Sequence, residues 1–239
     1  MALSNTLSLT RADFLDSVLR LKPRVAAFDC DGTLWSSDAG ETFLRWEIEA
    51  RVVSPEIGQH MRDRYAEYKA GKVGEDEMCA EMVTMHAGLT DAAVMVAATE
   101  FMDHVFPGRP FAEMLELVGQ LRKLGCDIWA VSSSNEWVIR AGVKQFGIAE
   151  DHILATKAAQ QNGVITDRII RIPSGPGKPQ ALREFVHEPI DAAFGNSNWD
   201  IELLASARHA FAVNPNSRLE PTARKQGWAI YFPEAISRP

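Results

Sequence analysis

The chain has 239 residues, of which 46% are hydrophobic and 24% are charged, as is typical of a globular α/β protein with one domain or one domain carrying a smaller insertion. Its formal net charge of -7 argues against nonspecific binding to nucleic acid, for which a basic surface is expected. An acidic molecule also repels phosphorylated ligands, so an anion site would need local positive charge.

The cysteines and the N-terminal residues bear on the cellular compartment. Cys30, Cys79 and Cys126 form no CxxC pair and have no zinc-ligand spacing, so we expect free thiols. Charged residues such as Asp13 and Arg20 interrupt the N-terminal segment, which therefore lacks the apolar centre of a signal peptide. No other segment is apolar over a length that spans a bilayer. These features predict a cytoplasmic protein that does not bind membranes.

The first clear element is a short apolar strand at residues 24–29, followed by Cys30-Asp31-Gly32-Thr33. An apolar run that ends in Asp and Gly is typical of a central parallel strand with polar groups at its carboxyl edge. Asp29 and Asp31 would point to opposite sides of a continued strand, but Gly32 allows a turn that brings both carboxylates together. Taken alone, the motif could also be a strand end followed by a solvated turn.

Strand patterns are absent between residues 38 and 107. The helices predicted in this segment lie at residues 41–52, 54–70, 75–86 and 90–104. We therefore predict two parts, a core made of residues 1–37 and 108–239 and an all-helical cap made of residues 38–107.

After residue 107 helices and strands alternate, which predicts a mainly parallel sheet covered by helices on both faces. A helix at 110–124 precedes a strand at 127–132, and Ser133-Ser134-Asn135 is predicted to open the next helix. The other predicted elements are strands at 153–156, 164–172, 192–195, 209–213 and 228–232, with helices at 179–185 and 200–207. In such sheets ligands bind beyond the carboxyl ends of the strands.

Three later features accompany the motif at residues 29–33. Ser132 ends a strand, Lys178 lies in a Gly/Pro-rich segment, and the polar segment 195–200 follows another strand. In this order the motifs resemble those of haloacid dehalogenase (HAD) superfamily hydrolases, and more closely the phosphoserine phosphatase-like branch, which includes phosphocholine phosphatase-like proteins. The resemblance implies a doubly wound Rossmannoid α/β core with an inserted helical cap.

The resemblance also implies a phosphatase that forms an aspartyl-phosphate. Asp29 would be the nucleophile, and Asp31 would protonate the leaving alkoxide and then deprotonate water. Lys178 would offset the negative charge that makes phosphate esters resist attack. The phosphoryl oxygens would be bound by Lys178, Ser132, Ser133 and Ser134, the last two through backbone N–H groups at a helix N-terminus.

A Mg²⁺ ion is implied as cofactor, with ligands from Asp29, the Asp31 backbone carbonyl, Asn196 and Asp200. Related motifs have aspartate at the position of Asn196, and a neutral amide is a weaker ligand. The three aspartates, Lys178 and the ion would make a neutral site, which lowers metal affinity but also lowers repulsion of a phosphate dianion. The alternative is that Asn196 marks a degenerate site.

Asp38 occupies the position where phosphoserine phosphatases have a substrate-binding glutamate, so we predict that it binds substrate. The nearby Trp35, Phe43 and Trp46 would suit an ammonium group through cation–π attraction, but we interpret them as core residues. Trp199 stands where those enzymes have asparagine, so specificity for serine does not follow.

The sequence therefore predicts a Mg²⁺-dependent phosphatase that hydrolyses a small phosphorylated metabolite and binds neither nucleic acid nor membrane. Asp31 favours phosphatases and phosphomutases, because dehalogenase relatives lack this acid and P-type ATPase relatives have threonine there. Two alternatives remain, a phosphomutase of the same superfamily and a ligand-binding pseudoenzyme, the latter suggested by Asn196.

Overall fold

The computed structural model describes residues 8–236, in which the strands form one seven-stranded sheet. In chain order the strands are β1 (Val25–Phe28), β2 (Asp127–Asn135), β3 (Ile153–Gln161), β4 (Val164–Arg171), β5 (Ala192–Gly195), β6 (His209–Val213) and β7 (Ala229–Tyr231). Their order across the sheet is β4-β3-β2-β1-β5-β6-β7, and all adjacent pairs are parallel except the β3–β4 hairpin. The predicted doubly wound, mainly parallel α/β fold is confirmed.

Helices cover both faces of this sheet. They are α1 (Arg11–Leu21), α2 (Ala39–Glu49), α3 (Pro55–Lys69), α4 (Glu75–Thr84), α5 (Asp91–Glu100), α6 (Ala112–Lys123), α7 (Glu136–Val143), α8 (Gly177–Arg183), α9 (Ile201–Ser206) and α10 (Leu219–Gln226). Helices α1, α6 and α7 pack on one face, and α8, α9 and α10 pack on the other. Because β1 and β5 lie between two helical layers, every residue in them is buried.

Between β1 and β2 the chain is helical, as the sequence predicted. The side chains of Asp38, Ser54 and Thr90 accept the hydrogen bonds that begin α2, α3 and α5, which is why these helices start there. A π-helical turn, Phe101–Val105, continues α5. The division into a core and a cap at residues 38 and 107 stays a prediction, and its outermost residues, 1–7 and 237–239, lie outside the described part of the chain.

One local prediction about the elements near the site is wrong. Strand β2 continues to Asn135, so Ser133 and Ser134 belong to the strand and do not open a helix. Helix α7 starts only at Glu136, because the Asn135 side chain accepts the N–H of Val138. Lys178, at the end of the Gly/Pro-rich segment, lies in the first turn of α8.

Two further findings concern the cysteines and the lengths of the helices. All three cysteines are buried free thiols, as expected. Within residues 8–236, no helix combines the length and the apolar character needed to cross a bilayer.

Candidate active site

Asp29 follows β1 directly and is only 5% exposed. Its Oδ1 accepts a hydrogen bond from Lys178 Nζ at 2.7 Å, and its Oδ2 accepts one from Thr33 Oγ1 at 2.7 Å. Burial raises the pKa of Asp29 to about 6, with a further contribution from the charge of Asp200, while Lys178 and Thr33 oppose the rise. A carboxylate with this pKa is ionised at neutral pH and is held in one orientation, as a nucleophile requires.

Lys178 is 1% exposed and bridges two carboxylates. Its Nζ lies 2.7 Å from Asp29 Oδ1 and 2.5 Å from Asp200 Oδ1. Burial alone would lower the pKa of Lys178, but the two carboxylates outweigh burial and raise the pKa well above its ordinary value. The lysine is therefore a fixed positive charge at the base of the site.

The Asp200 side chain, predicted as a metal ligand, accepts hydrogen bonds from neighbouring residues of the protein. Besides the bond from Lys178, its Oδ2 accepts the backbone N–H groups of Asn196 and Ser197 and the Ser197 hydroxyl, at 3.0, 2.8 and 3.0 Å. Both carboxylate oxygens thus accept hydrogen bonds, and the side chain is fully buried, so its part in binding a metal ion stays a prediction. Asp200 ties the loop after β5 to Lys178, and it approaches Gly195 so closely that a Cβ there would lie 2.5 Å from the Asp200 Cβ.

Asp31 is half-buried and accepts three hydrogen bonds. Its Oδ1 accepts the indole N–H of Trp35 at 2.8 Å and the backbone N–H of Ala39 at 2.6 Å, and its Oδ2 accepts the Ser134 hydroxyl at 2.6 Å. Desolvation raises the pKa of Asp31 to about 7, with a contribution from the negative charge of Asp38. A carboxyl group that titrates near neutral pH can both donate and accept a proton, which suits a general acid and base.

The serine segment at the end of β2 differs from its predicted arrangement. The backbone N–H of Ser134 donates to Ser132 Oγ at 3.1 Å, and the Ser134 hydroxyl donates to Asp31. These residues precede α7 and do not form its first turn, so they are not at a helix N-terminus as predicted, and their binding of phosphoryl oxygens stays a prediction. Ser132, 1% exposed, remains beside Lys178 in the wall of the site.

Asn196 lies against the turn that follows β1. Gly32 has φ +75°, which glycine adopts most readily, and a Cβ at this residue would lie 1.9 Å from Asn196 Nδ2, so a larger residue would displace the Asn196 side chain. In residues 8–236 the Asn196 side-chain amide makes no hydrogen bond, whereas its backbone N–H donates to Asp200. Its oxygen is thus available as a ligand.

The described residues fit a Mg²⁺ site that has few protein ligands. They contain no cluster of three or more His, Cys, Asp or Glu side chains arranged to hold a metal ion. Mg²⁺, however, needs few protein ligands, because it keeps several waters and binds through one or two carboxylates. The Asp29 carboxylate, the Asp31 backbone carbonyl and the Asn196 side-chain amide supply oxygens of this kind. These three residues line one cavity.

This cavity, which we call the central cavity, has a volume of about 380 Å³. Of the residues predicted for the site, it is lined by Asp29, Asp31, Asp38, Ser132, Ser133, Ser134, Lys178 and Asn196, whereas Asp200 is fully buried beneath it. Further lining residues that sequence reasoning missed are Tyr68, Glu75, Asn214 and Asn216. Tyr68 and Glu75 come from the helical segment, where no motif marks them.

Asp38 lies at the border between the central cavity and α2. Its Oδ1 accepts the N–H of Glu41 at 2.8 Å, so it caps α2 while it also faces the cavity. Trp35 and Phe43 are fully buried and do not line the cavity, which confirms that they are core residues. Trp199, 37% exposed, stands at the rim.

Comparison with protein families and with known proteins also indicates a hydrolase. A protein-family model described as haloacid dehalogenase-like hydrolase matches residues 26–205. A probable phosphatase of Mycobacterium tuberculosis is 28% identical over 169 residues, which cover 69% of this chain and 57% of that protein. The chain therefore spans little more than half the length of this relative.

Two other proteins are similar over most of their length. A histidinol-phosphatase of Neisseria meningitidis is 25% identical over 219 residues, which cover 86% of this chain and 97% of that protein. A solved structure of a phospho-aspartyl intermediate analogue of phosphoserine phosphatase has a TM-score of 0.56 at 16% identity, covering 87% of this chain and 92% of that one. At such low identity the structural likeness shows a shared fold.

Proposed function

The chain belongs to the haloacid dehalogenase-like hydrolase family, as its four motifs predicted, and on that premise we propose that it is a Mg²⁺-dependent phosphatase of small phosphomonoesters. The observation that carries this proposal is the buried Asp29 carboxylate, held by Lys178 and Thr33 and facing a cavity with Asp31 in its wall. The phosphatase names of the two relatives support it.

The reaction has two steps. In the first, an Asp29 oxygen attacks phosphorus, the bond from phosphorus to the alcohol oxygen breaks, and Asp31 gives its proton to that oxygen. In the second, water attacks the phosphorus of the aspartyl-phosphate and gives a proton to Asp31, and the bond to Asp29 breaks to release phosphate. Lys178 carries a fixed positive charge beside the attacking oxygen throughout.

Asp29, the backbone carbonyl of Asp31 and Asn196 would hold the Mg²⁺ ion. Bound there, the ion supplies positive charge that offsets the negative phosphoryl oxygens. Asp200 contributes indirectly, since its hydrogen bonds orient Lys178 and the loop that carries Asn196. Residues 38–107 form a cap in this proposal, because Asp38, Tyr68 and Glu75 of this segment close one side of the cavity.

Phosphate release from p-nitrophenyl phosphate tests the proposal. We expect hydrolysis with Mg²⁺, loss of hydrolysis after chelation, and recovery when Mg²⁺ is restored. A purified, folded protein that releases no phosphate from this ester or from a panel of phosphorylated metabolites would be a pseudoenzyme, and the proposed function would be wrong.

The role of Asp31 predicts a dependence on the leaving group. Asp31→Asn should lower the rate by about 10²–10⁴-fold with alkyl phosphates, the usual range for a positioned acid. The loss should be smaller with p-nitrophenyl phosphate, because nitrophenolate leaves without protonation. Steady-state kinetics with both esters make the comparison, and equal losses would assign Asp31 a different role.

The role of Asn196 predicts a change in metal affinity. Asn196→Asp adds a negative charge beside the cation, so it should tighten Mg²⁺ binding, while phosphate at saturating Mg²⁺ binds no better because the new charge repels it. Calorimetric titration with Mg²⁺ measures the first effect and inhibition by phosphate the second. An unchanged Mg²⁺ affinity would mean that residue 196 is not a ligand.

A further inference from the structure

The turn that follows β6, residues 214–216, lies at the central cavity. In the sheet β6 is next to β5, and β5 is next to β1, so the loops after these three strands leave the same edge side by side. Asn214 and Asn216 line the central cavity together with residues of the two other loops. The two steps of the proposed reaction use neither side chain.

Asn214 has a backbone conformation that costs free energy for most residues. Its φ is +48°, in the left-handed region that asparagine tolerates better than most residues other than glycine. Its backbone N–H donates to the Tyr231 carbonyl oxygen of β7 at 2.7 Å, and the ring of Pro215 fixes the next φ at about −65°. The turn is therefore stiff, and the Asn214 side chain extends from it to the loop after β1.

The Asn214 amide holds the turn after β1. Its Nδ2 donates to the Gly32 carbonyl oxygen at 3.3 Å. Gly32 separates this carbonyl from the Asp31 carbonyl, which is a ligand in the proposed Mg²⁺ site. Because glycine has no side chain, its two dihedral angles are less restricted than those of any other residue. A hydrogen bond to the Gly32 carbonyl therefore limits the rotations that would turn the Asp31 carbonyl away from the ion.

Asn216 holds the second loop that carries a ligand, through its backbone. Its N–H donates to the Asn196 backbone carbonyl oxygen at 2.7 Å. The Asn196 N–H in turn donates to Asp200 Oδ2 at 3.0 Å, so both backbone polar groups of Asn196 are held. The Asn216 side chain accepts the N–H groups of Arg218 and Leu219 at the start of α10, which fixes Asn216 itself.

Neutral ligands make such positioning important. The amide oxygen of Asn196 attracts Mg²⁺ less strongly than a carboxylate would, and so does the backbone carbonyl of Asp31. Mg²⁺ also requires a nearly ideal octahedral arrangement of its ligands, so a small displacement of one ligand weakens binding. A site with two neutral ligands therefore depends on ligands that are held in place before the ion binds.

We propose that the turn at residues 214–216 is a positioning element for Mg²⁺, and that Asn214 is the residue whose side chain sets the affinity for the ion. Asn214 acts through the Gly32 and Asp31 carbonyls, because its amide donates to Gly32 and not to the Asp29 carboxylate. The inference rests on the proposed function, since it concerns the metal ion of the same site.

Two substitutions at residue 214 separate the amide from the backbone. Asn214→Gly removes the amide and keeps the positive φ without strain, whereas Asn214→Ala removes the amide and adds strain. Calorimetric titration with Mg²⁺ alone should show binding about tenfold weaker in both variants, the lower end of the range for residues that orient metal ligands. The unfolding temperature without Mg²⁺ should fall more in Asn214→Ala than in Asn214→Gly.

Steady-state kinetics give a second readout. The Mg²⁺ concentration that gives half-maximal phosphate release should rise about tenfold in both variants. At saturating Mg²⁺, kcat and KM for p-nitrophenyl phosphate should stay close to the wild-type values, because residue 214 acts on binding of the ion and not on the substrate. A merely structural role would lower stability or kcat without shifting the Mg²⁺ dependence.

Asn162→Gly is the matched control for Asn214→Gly. Asn162 also has a positive φ, 53°, but it is exposed in the β3–β4 hairpin and does not line the central cavity. The same replacement at this residue should leave the Mg²⁺ affinity unchanged.

The outcomes separate this inference from the proposed function. Wild-type affinity for Mg²⁺ in Asn214→Gly, a loss confined to Asn214→Ala, or failure of Asn214→Gly to fold would overturn the positioning role and leave the phosphatase intact. A wild-type protein that binds no Mg²⁺ would contradict both. If the wild-type protein binds Mg²⁺ but hydrolyses no ester, the proposed function fails, and the calorimetric comparison still decides the role of Asn214.

Discussion

Asp29→Asn should reduce phosphate release by more than about 10⁴-fold, the scale seen when a catalytic nucleophile is removed. The amide cannot attack phosphorus, and the attacking oxygen loses its charge. The fold should persist, because burial disfavours the charged form of Asp29 and a neutral amide removes that cost. Phosphate release and thermal unfolding of the same preparation measure both effects.

The matched control for this change is Asp127→Asn. Asp127 opens β2, next to β1 in the sheet, and therefore lies at the opposite edge from Asp29. This variant should retain wild-type turnover. Substantial turnover in Asp29→Asn would contradict the mechanism, once mass spectrometry has excluded deamidation of the new asparagine to aspartate.

Lys178→Met should lower both activity and stability. In the described residues Lys178 is the one cation within 4 Å of Asp29 and Asp200, so its loss leaves two buried carboxylates without a counter-ion. Breaking a buried ion pair in this way typically costs about 3–5 kcal/mol of unfolding free energy. Activity should fall by at least about 10³-fold, because a charge fixed beside the phosphoryl group is removed. Urea denaturation and steady-state kinetics measure the two losses.

A second substitution separates the charge effect from packing. In the background of Lys178→Met, Asp200→Asn removes one of the two stranded carboxylates, so it should recover part of the lost stability although it adds another change to the core. If Lys178→Met leaves the midpoint of urea denaturation unchanged, the lysine does not stabilise the two buried carboxylates. Additive losses in the double variant would contradict the electrostatic explanation.

Much of the architecture could be predicted because the local patterns are unambiguous. The apolar runs that became β1 and β5 are continuous, as strands buried on both faces require. A turn at Asn162 and Gly163 joins β3 to β4, and both residues have positive φ, 53° and 77°, which asparagine and glycine tolerate best. The polar residues after parallel strands converge because those strands end at one edge of the sheet.

Helix α1 was missed although its signals are present. Thr10 accepts the N–H of Asp13, a typical cap, and Phe14 stacks on Tyr231 at a centroid distance of 4.2 Å. The cap at Thr10 is therefore a local signal from which this helix can be predicted.

Other features of the site depend on partners that local sequence does not encode. Asp200 lies at a position for which the sequence predicts a metal ligand. In the structure its oxygens accept hydrogen bonds from Lys178 and from the N–H groups of residues 196 and 197, because α8 packs near this loop. Tyr68 and Glu75 reach the cavity because α3 and α4 fold back over the sheet edge. Only tertiary structure brings them within reach of residues far away in the chain.

The most direct test of the account is to trap the intermediate at Asp29. Borohydride added during turnover with Mg²⁺ reduces an aspartyl-phosphate to homoserine, and peptide mass spectrometry then identifies the modified residue. We expect homoserine at position 29, dependent on substrate and Mg²⁺, and absent from Asp29→Asn. Turnover that leaves Asp29 unmodified while another residue is reduced would contradict the account.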